Sequence, residues 1–180
     1  MFRNERNNAT KVIGRAAAAA AMMLISGATL GGETTASAYT MAVIEDDAFG
    51  RKVMSGEYAK GIASINSYGS KRAGTFAAKN NLCVAYTVTK KFDQAAPACE
   101  AAVSIGKRYG RFGGSPINPY GSRDLAVAYS NRGVLRAVSG DVEGAKQDFA
   151  DAAEVNADLP AAAENLARLK AKETTAMSSL

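Results

Sequence analysis

Three stretches of this chain repeat one order of residue types: a polar turn, a bulky apolar residue, a small residue three positions later, and a core residue four positions after that. The aligned positions, copy by copy, are Tyr58, Gly61 and Ile65, then Phe92, Ala95 and Cys99, then Val142, Ala145 and Phe149. The first two copies lie 34 residues apart and the last two lie 50 apart, which equals one 34-residue unit with 16 inserted residues. A fixed period of this length is typical of stacked helical units.

The composition favours helices throughout. The chain is 47% hydrophobic but only 7% aromatic, with no Trp, and much of the apolar content is Ala. Ala enters a helix at the lowest entropic cost and allows two helices to approach closely. Val and Ile are too scattered to build several strands. The sequence therefore predicts an all-α fold.

Segments before two of the turns align as well, with 81–86 over 131–136 at the same offset of 50. Together these units resemble the tetratricopeptide repeat family, whose pattern combines an aromatic, Leu-Gly and Tyr in a first helix with Ala, Phe and a late Pro around a second. The residues that carry the resemblance are Leu82, Tyr86 and Ala95 in the middle unit, and Tyr129, Gly133, Ala145, Phe149 and Ala152 in the last. Lys107 and Ala157 stand where the late Pro would be. A generic helical bundle is the alternative.

The resemblance covers roughly residues 42–172 and implies about three antiparallel helical hairpins with a C-terminal capping helix. The expected parts are a degenerate unit 42–68, a repeat 76–109, an insertion 110–125, a repeat 126–159, a capping helix 160–172 and a disordered tail 173–180. Leu159-Pro160 marks the start of the capping helix, since Pro is tolerated in a first turn.

The N-terminus has the pattern of a secretory signal peptide over residues 1–38. Four basic residues precede an apolar stretch from Ala16, and the segment ends in Ala36-Ser37-Ala38, a small-x-small pattern that signal peptidase accepts. We expect cleavage before Tyr39 and export to the periplasm or the medium. An uncleaved membrane anchor is the alternative, but a spanning helix needs about 20 apolar residues, more than this stretch supplies.

Cys83 and Cys99 are the only two cysteines, and both follow the expected cleavage point. They lie equally far from Lys91, at the centre of a predicted turn, so two antiparallel helices would bring them side by side. An oxidising compartment favours a disulfide between them. The alternative is a pair of small buried thiols at core positions.

The insertion has the Gly and Pro content of a loop, and loops of this length in a compact domain are usually functional or disordered. Its candidate binding residues are Arg111, Phe112 and Tyr120. A mixture of aromatic and cationic residues suits a protein-binding loop. Export argues against the similar composition of single-stranded nucleic acid sites. A neutral surface insertion is the alternative.

The resemblance also implies a binding surface, the concave face formed by the first helix of each hairpin. The residues that fall on it are Asn80, Val84, Thr87, Val88, Ser130, Val134, Ala137 and Val138. Asn81 and Asn131 are also present, but no Lys or Arg stands where some family members clamp a carboxylate. The Val and Ala content suggests a protein partner that presents an apolar or helical segment.

The chain contains no His, which removes imidazole bases, catalytic triads and most zinc sites. Gly113-Gly114 lacks the Lys and Ser/Thr of a phosphate loop. No cofactor, metal, nucleic acid or small-molecule ligand is indicated, and we expect a scaffold or adaptor and not an enzyme. Two alternatives remain: a membrane-tethered assembly factor whose N-terminal segment stays attached, and an enzyme that uses unfamiliar chemistry.

Overall fold

The structure, a computed structural model, describes residues 20–25, 39–45, 48–67, 69–110 and 121–178. Within these ranges the protein is mostly helical, as the sequence predicts. The helices are α1 (Ala48–Met54), α2 (Tyr58–Ser67), α3 (Ser70–Ala73), α4 (Phe76–Val88), α5 (Phe92–Gly110), α6 (Gly121–Ser139), α7 (Val142–Val155) and α8 (Pro160–Ser178). Two strands precede them, β1 (Ala20–Ile25) and β2 (Tyr39–Ile44).

Consecutive helices pack as hairpins, α4 against α5 and α6 against α7, and α5 also packs against α6. At Gly133 on α6, an added Cβ would lie 2.7 Å from the ring of Phe149 on α7. The glycine is therefore what allows these two helices to approach so closely. The aligned position on α4 is Cys83, which faces α5 and lies beside Cys99, with 4.7 Å between their Cα atoms.

The three repeated turns have one backbone geometry. Gly56, Lys90 and Gly140 all have positive φ, at 81°, 57° and 96°. The amide of the next residue in each case donates to a carbonyl five residues earlier, at 2.8 to 2.9 Å. This left-handed ending closes a helix and satisfies its last carbonyls. The 34-residue and 50-residue offsets in sequence thus correspond to equivalent turns in space.

The first unit differs from the sequence prediction. A helical unit was expected from residue 42, but Tyr39–Ile44 is a strand and the first helix begins at Ala48. β2 pairs with β1 in antiparallel register, from Ala20 opposite Ile44 to Ile25 opposite Tyr39. The Thr, Val, Ile and Tyr content of β2 suits an extended chain, and helix α4 supplies partners for its backbone.

The C-terminal helix and the insertion also differ in their bounds. Helix α8 begins at Pro160 as expected but continues to Ser178, through most of the segment predicted as a disordered tail. Lys146 on α7 bonds Glu173 at 2.8 Å and holds that part of α8 in place. Helix α6 begins at Gly121, so residues 121–125 of the expected insertion are helical. Residues 111–120, and with them Arg111, Phe112 and Tyr120, lie outside the described residues.

Of the predicted signal peptide, the structure describes only β1; the remainder of residues 1–38 lies outside the described part. None of the helices in the described ranges has the length and apolar character required to cross a membrane.

Candidate functional site

Strand β2 lies along a groove lined by helices α4, α6 and α8, and the groove holds it by its backbone. Asn165 on α8 accepts a hydrogen bond from the Thr40 amide and donates one to the Thr40 carbonyl, both at 2.8 Å. Asn131 on α6 does the same for Ala42, at 2.9 and 2.8 Å. Asn81 on α4 does the same for Ile44, at 2.9 and 2.8 Å. Three side-chain amides therefore bind three alternate residues of one strand.

The three asparagines occupy one repeat position. Asn81 and Asn131 are separated by 50 residues, and Asn131 and Asn165 by 34, the same two intervals that separate the repeated turns. The helices that carry them therefore present the same side chain at successive places along the groove. We call Asn81, Asn131 and Asn165 the asparagine ladder. Because the ladder bonds only main-chain atoms of the strand, it requires an extended segment but sets no side-chain sequence.

Asn80 joins the ladder from the neighbouring position on α4. It donates to the Ala42 carbonyl at 2.9 Å, and its own side-chain oxygen accepts from Asn131 at 2.9 Å. Asn80, Asn81, Asn131 and Asn165 are all fully buried. A buried amide that loses its partner carries the whole cost of its desolvation, so these bonds fix the position of β2.

The side chains of β2 are buried on both sides. Tyr39, Met41 and Val43 join a core cluster with Phe49 and Phe149, and the Tyr39 ring stacks on Phe149 with 6.4 Å between centroids. Ala42, which points to the other side, joins a second cluster. The strand thus separates two parts of the core and contributes to both.

The Tyr39 hydroxyl is buried and has no hydrogen-bond partner among the described residues. Burial raises the pKa of this phenol, and the charge of Glu173 raises it further. Folding therefore favours the neutral form of the phenol.

The predicted groove residues lie in this region but mostly do not face solvent. Six of them are buried: Asn80, Val84, Thr87, Ser130, Val134 and Ala137. Val88 is half-buried against the core, and Val138 is 36% exposed. Val138 lies seven residues after Asn131 and Val88 seven after Asn81, so both extend the asparagine face of their helices toward the surface. They are the accessible members of the predicted set.

Sequence reasoning missed two parts of this site. The sequence analysis predicts residues 160–172 only as a capping helix and so omits Asn165, although its distance of 34 residues from Asn131 is a signal that could have found it. β2 was missed because the expected cleavage point falls directly before Tyr39, and the residues after it were assigned to the first helical unit.

A charged cluster lies on another side of the molecule, between α5, α6 and α7. The Arg132 guanidinium bonds both carboxylate oxygens of Asp148, at 2.9 and 2.6 Å, and Glu100 at 2.7 Å. Arg136 bonds Asp148 at 3.0 Å. Burial by itself lowers the pKa of Arg132, but the bonds to Asp148 and the charge of Glu100 outweigh it, so the net shift is upward. A cavity of about 240 Å³ beside the cluster is lined in part by Glu100, Arg132 and Arg136. Because their charges are paired across α5, α6 and α7, we interpret this cluster as a contact that stabilises the helix packing.

The described residues include no group of three or more His, Cys, Asp or Glu side chains placed to hold a metal ion. Comparison with known proteins gives no match: no family model, no curated protein and no solved structure is similar to this chain.

Proposed function

We propose that this protein is an exported scaffold or adaptor of the tetratricopeptide type, which binds an extended, apolar segment of a partner protein along its concave groove. The observation that carries the proposal is the asparagine ladder, which fixes strand β2 along the groove by the main chain of three alternate residues, so that an extended partner segment can lie in the groove beside this strand. The repeated offsets and the equivalent turns support the family resemblance. A helical partner segment is disfavoured because its backbone groups are already bonded internally.

The chemistry of the groove suits binding. Its polar groups are amides, which hold hydrogen bonds without exchanging protons, and each ladder amide is already bonded in both directions to β2.

Export is supported by the signal-like pattern of residues 1–38 and by the pairing of Cys83 with Cys99, since disulfides persist in oxidising compartments. N-terminal sequencing tests this part: a chain that begins at Tyr39 fits export with cleavage, and one that begins at Met1 favours the tethered alternative.

Affinity capture tests the binding role. The tagged chain 39–180 and its Val138→Glu and Ala150→Glu variants are used to capture proteins from the envelope and extracellular fractions of the source cells. Val138 lies on the asparagine face of α6, whereas Ala150 is exposed on α7. We expect one or two stoichiometric partners that are lost with Val138→Glu and kept with Ala150→Glu. Equal loss with both variants, or no partner in repeated captures, would contradict the proposal.

A further inference from the structure

The two edges of strand β2 have different partners. Successive amide and carbonyl groups of a strand point to opposite edges. The backbone amide and carbonyl groups of Thr40, Ala42 and Ile44 point to the asparagine ladder. Those of Tyr39, Met41 and Val43 therefore point to the other edge. There they face β1, in the pairs Ile25 with Tyr39, Met23 with Met41 and Ala21 with Val43. In an antiparallel sheet, two opposite residues whose backbone groups face each other exchange two hydrogen bonds.

β2 itself is not a replaceable occupant of the groove. Met41 and Val43 have no exposed surface, and Asn131 and Asn80 together bond the Ala42 carbonyl. Displacing the strand would empty part of both core clusters and remove the bonds that four buried amides make to it. A partner segment therefore has to bind beside β2.

β1 already shows what binds beside β2. It is a six-residue apolar strand, AAMMLI, and β2 is its main packing partner. It also belongs to the segment that the sequence predicts to be removed on export. Once residues 1–38 are gone, the amide and carbonyl groups of Met41 and Val43 lose their partners, and a strand edge of this kind readily pairs with another chain.

We propose that this edge of β2 is a strand-addition site, which β1 covers in the precursor and an extended apolar segment of the partner protein occupies in the processed chain. The inference rests on the proposed function and specifies how that binding occurs: main-chain hydrogen bonds supply affinity, as in other cases of strand addition. The precursor is thereby kept from binding before export.

The test uses a labelled synthetic peptide, AAMMLI with lysines added at both ends for solubility, and fluorescence anisotropy. The proteins are the full chain, its Met23→Pro and Met22→Pro variants, and the chain 39–180. The amide of Met23 faces β2, whereas that of Met22 faces away, so only Met23→Pro removes a pairing bond. We expect binding to Met23→Pro and to the chain 39–180, with affinity at least about tenfold weaker for the full chain and for Met22→Pro.

Two modified peptides provide the matched control on the ligand. N-methylation at the residue equivalent to Met23 is expected to weaken binding to the opened proteins at least about tenfold, and N-methylation at the equivalent of Met22 to leave it unchanged. Equal effects of the two methylations, or a peptide affinity that is the same for all four proteins, would overturn strand addition. A partner captured as in the preceding test, together with either of these results, would leave the adaptor role in place and refute only this mode of binding. Far-UV circular dichroism of each protein shows that its helices are intact.

Discussion

Each ladder asparagine binds both polar groups of one strand residue, since its side-chain amide is both a donor and an acceptor. At Asn131, the oxygen accepts from the Ala42 amide and the nitrogen donates to the Ala42 carbonyl and to Asn80. Asp would keep the acceptor and lose the donor, and Ala would lose both. The requirement for an amide is therefore set by the strand, which presents one donor and one acceptor at every second residue.

The first prediction concerns this residue. Asn131→Ala leaves the Ala42 amide buried without a partner, and we expect the free energy of unfolding to fall by about 2–4 kcal/mol. Urea denaturation followed by circular dichroism measures the change. Gln147→Ala is the control, because Gln147 bonds only Asp151 on the surface of α7, and it should change stability by less than about 0.5 kcal/mol. Equal losses of unfolding free energy in the two variants would contradict the stabilising role of the asparagine ladder.

The second prediction at the scale of residues is that ionisation of Tyr39 makes the stability of the fold depend on pH. Because its pKa is raised in the folded state, folding favours the neutral phenol; this contribution is fully present below the unfolded pKa of about 10 and is lost as the pH rises above it. Tyr39→Phe removes both the ionisation and a buried hydroxyl that has no partner. We expect the variant to be at least as stable at neutral pH and to lose less stability between about pH 9 and 11. Melting temperatures across this range measure the difference. Parallel curves for the two proteins would show that Tyr39 does not contribute.

At the scale of elements, the hairpin of α4 and α5 was predicted in most of its detail. The repeat placed the turn at Lys91, the equal distance of Cys83 and Cys99 from it predicted that they lie side by side, and the sulfur atoms lie at bonding distance in the structure. Local patterns sufficed because a hairpin is specified by its own turn and its own small residues. Local patterns could not predict the groove, since Asn165 and Thr40 are 125 residues apart in the chain and no local pattern connects them.

The disulfide gives a prediction for this hairpin. A cross-link that closes a loop of this length contributes about 3 kcal/mol in the chain-entropy model. We therefore expect Cys83→Ala combined with Cys99→Ala to lower the free energy of unfolding by roughly that amount, and reductant to lower the melting temperature of the native chain but not of the double variant. Thiol titration of the denatured, unreduced protein should find no free thiol. Two reactive thiols per chain would show instead that the cysteines are unpaired.

At the scale of the whole molecule, the helical units pack both on one another and on strand β2. β2 contacts α4, α6 and α8 and lies between two core clusters, so it holds together units that are distant in sequence. The repeat period predicted the helices because each unit encodes its own hairpin. It could not predict β2, because this segment lies outside the repeated unit and its position is fixed by distant residues, the asparagines that bond it and the core clusters that bury its side chains.

The two edges of β2 should differ in hydrogen exchange, which tests the arrangement of the whole fold. The amides of Ala42 and Ile44 donate to buried ladder asparagines, so they open only when the groove opens and should exchange at rates close to global unfolding. The amides of Met41 and Val43 face β1 and should be protected only while β1 is paired. Exchange measured by NMR on the full chain and on the chain 39–180 should therefore show a large acceleration at Met41 and Val43, with Ala42 and Ile44 unchanged. If all four amides accelerate together, β2 leaves the groove when β1 is removed, and the strand depends on the N-terminal segment; if none accelerates, β1 does not protect the edge in the full chain.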